Sequence, residues 1–238
     1  MKNICIIKTG STFGTMQADL NDFEDWITAK LSSGRSRVFT VHVEAGEELP
    51  ELSLCDGVIV TGSHSMVTDE EQWSQKTAHW LSDAVERQMP LLAICYGHQL
   101  LAKAMGGVSG YHDEGMEIGT VEIHTTPHAH EDVLFSDFPQ SFMGHTIHSQ
   151  TVMTLPEGAV RLAFNGHDSN HAFRIGECAW GVQFHPEFDE AIMNAYIEEV
   201  AQEKSWSDER ITALQKETRK TLEATMLLQK FEALVCES

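Results

Sequence analysis

Cys95 lies in the segment Pro90-Leu-Leu-Ala-Ile-Cys95-Tyr-Gly97-His-Gln99, where an apolar β-type run gives way to a helical one. A residue at such a junction is forced into a sharp turn that lifts its side chain above the sheet edge. The positive end of the helix dipole behind it favours a thiolate. Strand and helix pass close together at the turn, and Ala93 and Gly97, two residues either side, supply the small neighbours this requires. A second segment, Trp180-Gly-Val-Gln-Phe-His185-Pro-Glu187, runs a strand into a histidine, and Pro186 fixes the backbone immediately afterwards. Glu187 is then within reach to orient the imidazole. Thiol, imidazole base and orienting carboxylate are the parts needed for acyl transfer. Each motif alone reads equally well as structural: a small buried thiol, or one of thirteen histidines before a helix-starting Glu. Together they point to a nucleophilic hydrolase.

These side chains need a sheet edge on which to meet. The first half of the chain alternates short β-rich runs with helical stretches, the pattern of an α/β sheet. Strands are predicted at Asn3–Lys8, Val38–Val43, Gly57–Thr61 and Leu91–Ile94. Helices are predicted at Asp22–Leu31, Glu70–Arg87 and Tyr96–Met105, the last stopped by Gly106-Gly107. From Met116 the pattern turns to strands separated by turn residues: Glu117–His124, Phe142–His148, Val160–Ala163, Ala172–Ile175 and Ala179–Phe184. Helix returns at Glu190–Glu203 and, after a break at Ser205–Ser207, across Asp208–Val235. Without linker, repeat or low-complexity segment, the economical expectation is one domain over residues 1–238, with 189–238 as a helical extension. Trp and Leu positions in the helices are expected to be core.

The 42% hydrophobic and 22% charged fractions are ordinary for a globular protein, but the formal net charge of −20 is not. Such a carboxylate excess repels phosphate backbones and anionic lipid, so no nucleic-acid or membrane partner is expected. The five cysteines form no CxxC pair, and their odd number argues against a disulfide framework. A start that turns polar by Lys8, with no long apolar run, gives no signal peptide or bilayer span, so a cytoplasmic protein is expected. His124, His128 and His130 cluster with Glu131 and Asp132, but their spacing matches no standard metal geometry and 125–132 reads as a polar loop. His145 and His148 are read as loop structure rather than ligands. No metal or organic cofactor is expected.

Ala-Ile-Cys95-Tyr-Gly-His-Gln99-Leu-Leu-Ala and Gly-Val-Gln-Phe-His185-Pro-Glu187 resemble, in the right order, the two signature blocks of the class I (triad) glutamine amidotransferases. The likeness covers about Asn3 to Phe188 and is closer to free-standing proteins similar to the amidotransferase domain of GMP synthase. It implies a flavodoxin-like, mostly parallel sheet flanked by helices, with an additional antiparallel strand region and a helical C-terminal tail. It also implies Cys95 as nucleophile, His185 as general base then acid, and Glu187 as its orienting partner. Thr61-Gly62-Ser63-His64-Ser65-Met66 falls where the family has an oxyanion loop, which implies the backbone N–H groups of Gly62 and Tyr96 as oxyanion donors. Gln99 matches a residue that helps hold the substrate. The segment 147–152, with Ser149 and Gln150, matches a loop that grips its amino-acid end. Thr61 and Ser63 replace the family's first Gly and its Pro, Ala93 replaces a Gly, and Gln150 stands where GMP synthases have an Asp.

The implied substrate is therefore a small molecule, glutamine or a γ-glutamyl compound, attacked to give a γ-glutamyl thioester. The residues after Glu187 read as helices and resemble no nucleotide-binding synthetase domain, so ammonia would pass to a separate subunit or be released. Two alternatives remain. A γ-glutamyl peptidase would use the same thioester with a different leaving group, and a non-catalytic binding module would have kept the fold without turnover.

Overall fold

The computed structural model describes residues 1–32 and 34–237; Ser33 and Ser238, the last residue of the expected extension, lie outside them. In chain order the elements are β1 (Lys2–Lys8), α1 (Gly14–Leu20), α2 (Phe23–Lys30), β2 (Ser36–His42), β3 (Gly57–Val60), α3 (Gln72–Glu86), β4 (Leu91–Ile94) and α4 (Tyr96–Ala104). There follow β5 (Val108–Tyr111), β6 (Glu117–Thr125), β7 (Ser141–His148), β8 (Gln150–Thr154), β9 (Val160–Phe164), β10 (Ala172–Ile175) and β11 (Ala179–Val182). Three helices end the described chain: α5 (Glu190–Lys204), α6 (Asp208–Glu217) and α7 (Leu222–Glu237).

Nine strands form one sheet in the order β2-β1-β3-β4-β11-β10-β9-β6-β7, while β5 and β8 pair as a separate antiparallel ribbon. The pairings from β2 to β11 are parallel. Those from β11 to β7 are antiparallel. This is an α/β fold with helices on both faces of the sheet. Burial on both faces explains why the parallel strands read as continuous apolar runs. Along β1, Ile4 and Ile6 enter one core while Cys5 and Ile7 enter the other. Leu92 and Ile94 of β4 and Trp180 and Val182 of β11 join the first core, with Leu227, Leu228 and Phe231 of α7. Leu91 and Ala93 of β4 join the second, with Leu81 of α3 and Leu100 and Leu101 of α4.

The expected single helix over Asp208–Val235 is two. Helix α6 buries no residue, whereas α7 buries Ala224, Leu227, Leu228, Phe231 and Val235 along one stripe. The chain must re-aim between them, and Thr218 leaves the helical region with φ −65° and ψ 126°. The strand predicted to reach Phe184 ends at Val182, with the Gln183 N–H still donating to the His171 carbonyl (2.8 Å) in register with β10. The expected loop at 125–132 contains a 3₁₀ turn over Pro127–Glu131. Its Asp132 is a buried anchor, accepting from the Leu134 and Phe135 amides, Arg174 Nε and Trp180 Nε1. The segment 147–152, expected as a loop, is mostly strand, broken at Ser149 between β7 and β8. No helix among the described residues is long and apolar enough to cross a membrane.

Candidate active site

Parallel strands present all their C-terminal ends at one edge, and the predicted residues lie there. Gly62 follows β3, Cys95 follows β4 and His185 follows β11, three strands adjacent in the sheet. Neighbouring strands are about 4.8 Å apart, so these ends stand in a row. Cys95 is the turn itself, with φ 50° and ψ −102°, a left-handed conformation that costs a non-glycine residue of order 1–3 kcal/mol. Both flanks hold it: its N–H donates to Val182 O (2.8 Å) and its carbonyl accepts from Gln99 N (3.1 Å). Gly97 has the predicted steric reason, since a Cβ there would lie 2.9 Å from Val60 Cβ and 3.0 Å from the Val60 carbonyl.

His185 is 2% exposed and Glu187 fully buried, with Nδ1 and Oε1 2.7 Å apart. The ring stacks on Phe188 (4.1 Å, 20°), and Phe23 lies parallel at 6.2 Å. Burial acts against a charged imidazole, but the Glu187 carboxylate and then the Cys95 sulfur outweigh it and push His185 up to about 10. Cys95 Sγ lies 3.6 Å from the Ile147 carbonyl, and His185 Nε2 makes no hydrogen bond of full geometric quality. The raised proton affinity of the ring favours a protonated imidazole in the resting site.

The peptide between Thr61 and Gly62 packs on the fully buried Thr9, whose Oγ1 lies 3.0 Å from both the Thr61 and Gly62 carbonyl oxygens. In a trans peptide the Gly62 N–H then points away from Thr9. A Cβ on Gly62 would sit 3.0 Å from His185 Cε1, so a side chain there would crowd the imidazole. The Tyr96 N–H belongs to the first turn of α4, where amides have no intrahelical acceptor. The Tyr96 hydroxyl meets Ser74 Oγ at 2.6 Å, and burial pushes it up to about 12.

Cys95, Tyr96, Gln99, Ser149, Gln150 and His185 all line one cavity of about 280 Å³. Gln99 uses Nε2 on the Gln150 carbonyl (2.7 Å) and on Gln183 Oε1 (3.0 Å), so its amide nitrogen is committed inside the protein. Gln150 donates Nε2 to Thr68 Oγ1 (2.6 Å), while its Oε1 is buried without a partner.

A family model for class I glutamine amidotransferases matches residues 20–201. The chain belongs to that family. A glutamine-hydrolyzing GMP synthase of Porphyromonas gingivalis is 35% identical over 164 residues, 67% of this chain and 31% of that one. Gamma-glutamyl peptidase 5 of Arabidopsis thaliana is 27% identical over 152 residues, 63% of this chain and 61% of that one. The chain thus spans less than two thirds of either relative. A crystal structure of a glutamine amidotransferase from Thermotoga maritima superposes with a TM-score of 0.79 at 21% identity, covering 100% of this chain and 99% of that one. That likeness shows the amidotransferase fold.

Sequence reasoning missed the part of this cavity that lies off the sheet. Phe13, Met116, Tyr196, Val200 and Glu203 line it. Tyr196 OH accepts from Thr12 Oγ1 (2.8 Å) and lies edge-on to His64. In sequence these residues fit ordinary helix faces and loops, and only the return of α5 over the sheet edge brings them together. Lys8, read as the last residue of a strand, is a buried cation 2.7 Å from both Asp22 Oδ2 and Glu24 Oε1. Asp22 also caps α2 and accepts from Thr12 N (2.9 Å), tying the loop that carries Phe13 and the Phe23 ring to β1.

Proposed function

We propose that this chain hydrolyses the γ-carboxamide of glutamine through a γ-glutamyl thioester on Cys95, releasing glutamate and ammonia. The observation that carries the reading is a strained cysteine at the sheet edge, in one cavity with a buried imidazole that Glu187 holds at 2.7 Å. In this mechanism the Cys95 thiolate attacks the γ-carbonyl carbon, and the oxyanion is met by the N–H groups of Gly62 and Tyr96. Each such donor is worth roughly 3–4 kcal/mol. His185 Nε2–H then protonates the departing ammonia. A water attacks the thioester, gives its proton to the same nitrogen, and returns thiolate and imidazolium. The unpartnered Gln150 Oε1 is a suitable acceptor for the substrate ammonium, in the role an Asp would fill. The ammonia would serve a separate acceptor protein.

A γ-glutamyl peptide is the second reading, favoured by the relative of that name. Its leaving group carries a carboxylate, whereas the cavity lining contains no Lys or Arg and has Glu203 among its residues. That charge pattern favours ammonia or an uncharged or cationic amine. The test is a panel of glutamine, γ-glutamyl amines and γ-glutamyl-glycine with the wild type and Cys95→Ala. We expect glutamine or a γ-glutamyl amine to have the highest kcat/KM and the variant to be inactive. A tenfold preference for γ-glutamyl-glycine would replace the reading with a peptidase, and turnover by Cys95→Ala would remove the mechanism.

A further inference from the structure

Glu117 begins β6 and His148 ends β7, and the two are direct partners across the antiparallel pair. His171, immediately before β10, completes a group whose ligand atoms all lie within 4.8 Å of one another. Glu117 Oε2 is 3.0 Å from His148 Nε2 and 3.2 Å from His171 Nε2. The side chains are 10%, 1% and 0% exposed, respectively. From these residues we propose a zinc-class metal site, with Glu117 Oε2, His148 Nε2 and His171 Nε2 as ligands.

Three features support it. First, donors about 2.0–2.1 Å from zinc in a tetrahedron are roughly 3.3 Å apart, close to both carboxylate–imidazole separations, and all three donors lie within 4.8 Å of one another. Second, the surroundings suit coordination. His148 Nδ1 faces the Gln150 carbonyl at 2.9 Å, which can only accept, so Nδ1 carries a hydrogen and Nε2 is the ring atom turned toward Glu117. Asn165 Nδ2 donates to Glu117 Oε1 (2.7 Å), leaving Oε2 for the ion. Outer partners of this kind fix ligand orientation in metal sites. Third, polar atoms around the group lack partners: His171 Nδ1 is buried with none, as are both ring nitrogens of neighbouring His98. Two imidazoles and one carboxylate select zinc or a similar transition ion over magnesium or calcium, which prefer all-oxygen sites.

The site would act on the cavity through His148. Its Nδ1 and Gln99 Nε2 share the Gln150 carbonyl, and Ile147, Ser149 and Gln150 line the cavity beside Cys95. A bound ion would hold this segment and change KM for the γ-glutamyl substrate more than kcat. That consequence rests on the proposed hydrolase reading; the metal site itself does not.

The test uses Cys95→Ala protein, so that the thiol cannot compete for the ion, stripped with chelator, equilibrated with Zn²⁺ and desalted. Elemental analysis should find one zinc per chain, and Co²⁺ in its place should give the visible absorption of a low-symmetry nitrogen–oxygen site. Adding Glu117→Gln or His171→Gln should weaken retention at least tenfold. Anomalous scattering from zinc-soaked crystals locates the ion without any further substitution, should a variant fail to fold. Zinc that does not survive desalting, undiminished retention in folded His171→Gln, or an ion found elsewhere would each overturn the site. A bound ion at these residues, alongside wild-type protein that turns over no γ-glutamyl substrate, would leave the site standing and reject the hydrolase reading alone.

Discussion

Glu187→Gln is the most informative single change, because it keeps shape and removes charge. The ring's rise from an ordinary 6.5 to about 10 corresponds to about 5 kcal/mol of net preference for imidazolium, at 1.36 kcal/mol per tenfold. Burial opposes that rise, and Glu187 is the largest contribution favouring it. Removing that charge therefore lowers the ring's affinity for a proton. Loss of ring orientation adds to this, so kcat/KM for glutamine should fall at least 100-fold. Two assays check the reasoning. Glutamate release against pH should show the basic limb moving down by a pH unit or more. Iodoacetamide alkylation of Cys95 near pH 7 should slow in parallel. Stability should follow the same linkage: the folded-state value is raised, so the contribution is complete below 6.5 and lost as pH rises through about 10. The melting deficit of the variant should therefore be full at and below neutrality, shrink as the pH rises towards 10, and be gone above it. Activity within threefold of wild type, with an unmoved basic limb, would show that Glu187 does not set the state of the ring.

Three further changes test the supporting structure. Lys8→Met leaves Asp22 and Glu24 facing a vanished cation and should cost about 3–5 kcal/mol at pH 7 by chemical denaturation. Burial raises the Asp22 carboxyl, but Lys8 and the Thr12 and Phe23 amides bring it below its usual 3.8. The pair therefore contributes above that value, and the deficit should narrow as the pH drops below it. Gly97→Ala drives a Cβ against Val60 side chain and backbone and should cost about 1–3 kcal/mol, read as a lowered Tm, together with activity. Phe188→Leu keeps an apolar group but removes the face beneath His185; stability should change by less than about 1.5 kcal/mol while kcat falls and KM holds.

What could be read from the sequence followed from local rules. The elbow at Cys95 was legible because a strand, a sharp turn and a helix constrain neighbouring residues, and Gly97 meets Val60 as that argument requires. The parallel strands were legible because burial on both faces leaves an apolar run. Contacts made only through tertiary packing were not. Nothing near Glu117 announces His148 and His171, and nothing near Phe13 announces Tyr196. Lys8 reads as the polar end of a strand because its partners, Asp22 and Glu24, lie beyond a loop and at the start of a helix. The break between α6 and α7 escaped notice for a related reason. Thr218 to Thr221 contains neither Gly nor Pro, and the turn is imposed by where α7 must bury Leu227, Leu228 and Phe231.

The division of the sheet suggests where chemistry and selectivity reside. The proposed oxyanion loop, nucleophile and base each follow one of three adjacent parallel strands, so their spacing is fixed by backbone hydrogen bonding and tolerates little change. The cavity wall opposite them comes from elsewhere: Phe13 before α1, Met116 before β6, and Tyr196, Val200 and Glu203 on α5. These positions are held by side-chain packing and a few hydrogen bonds, and substitution there leaves the strand ends where they are. Leaving-group preference should therefore be separable from the thioester step. A Glu203→Lys variant should gain kcat/KM for γ-glutamyl-glycine relative to glutamine while its rate of Cys95 alkylation by iodoacetamide stays unchanged. If the alkylation rate moved with the preference, α5 would be acting on the nucleophile itself, and the separation of the two walls would be wrong.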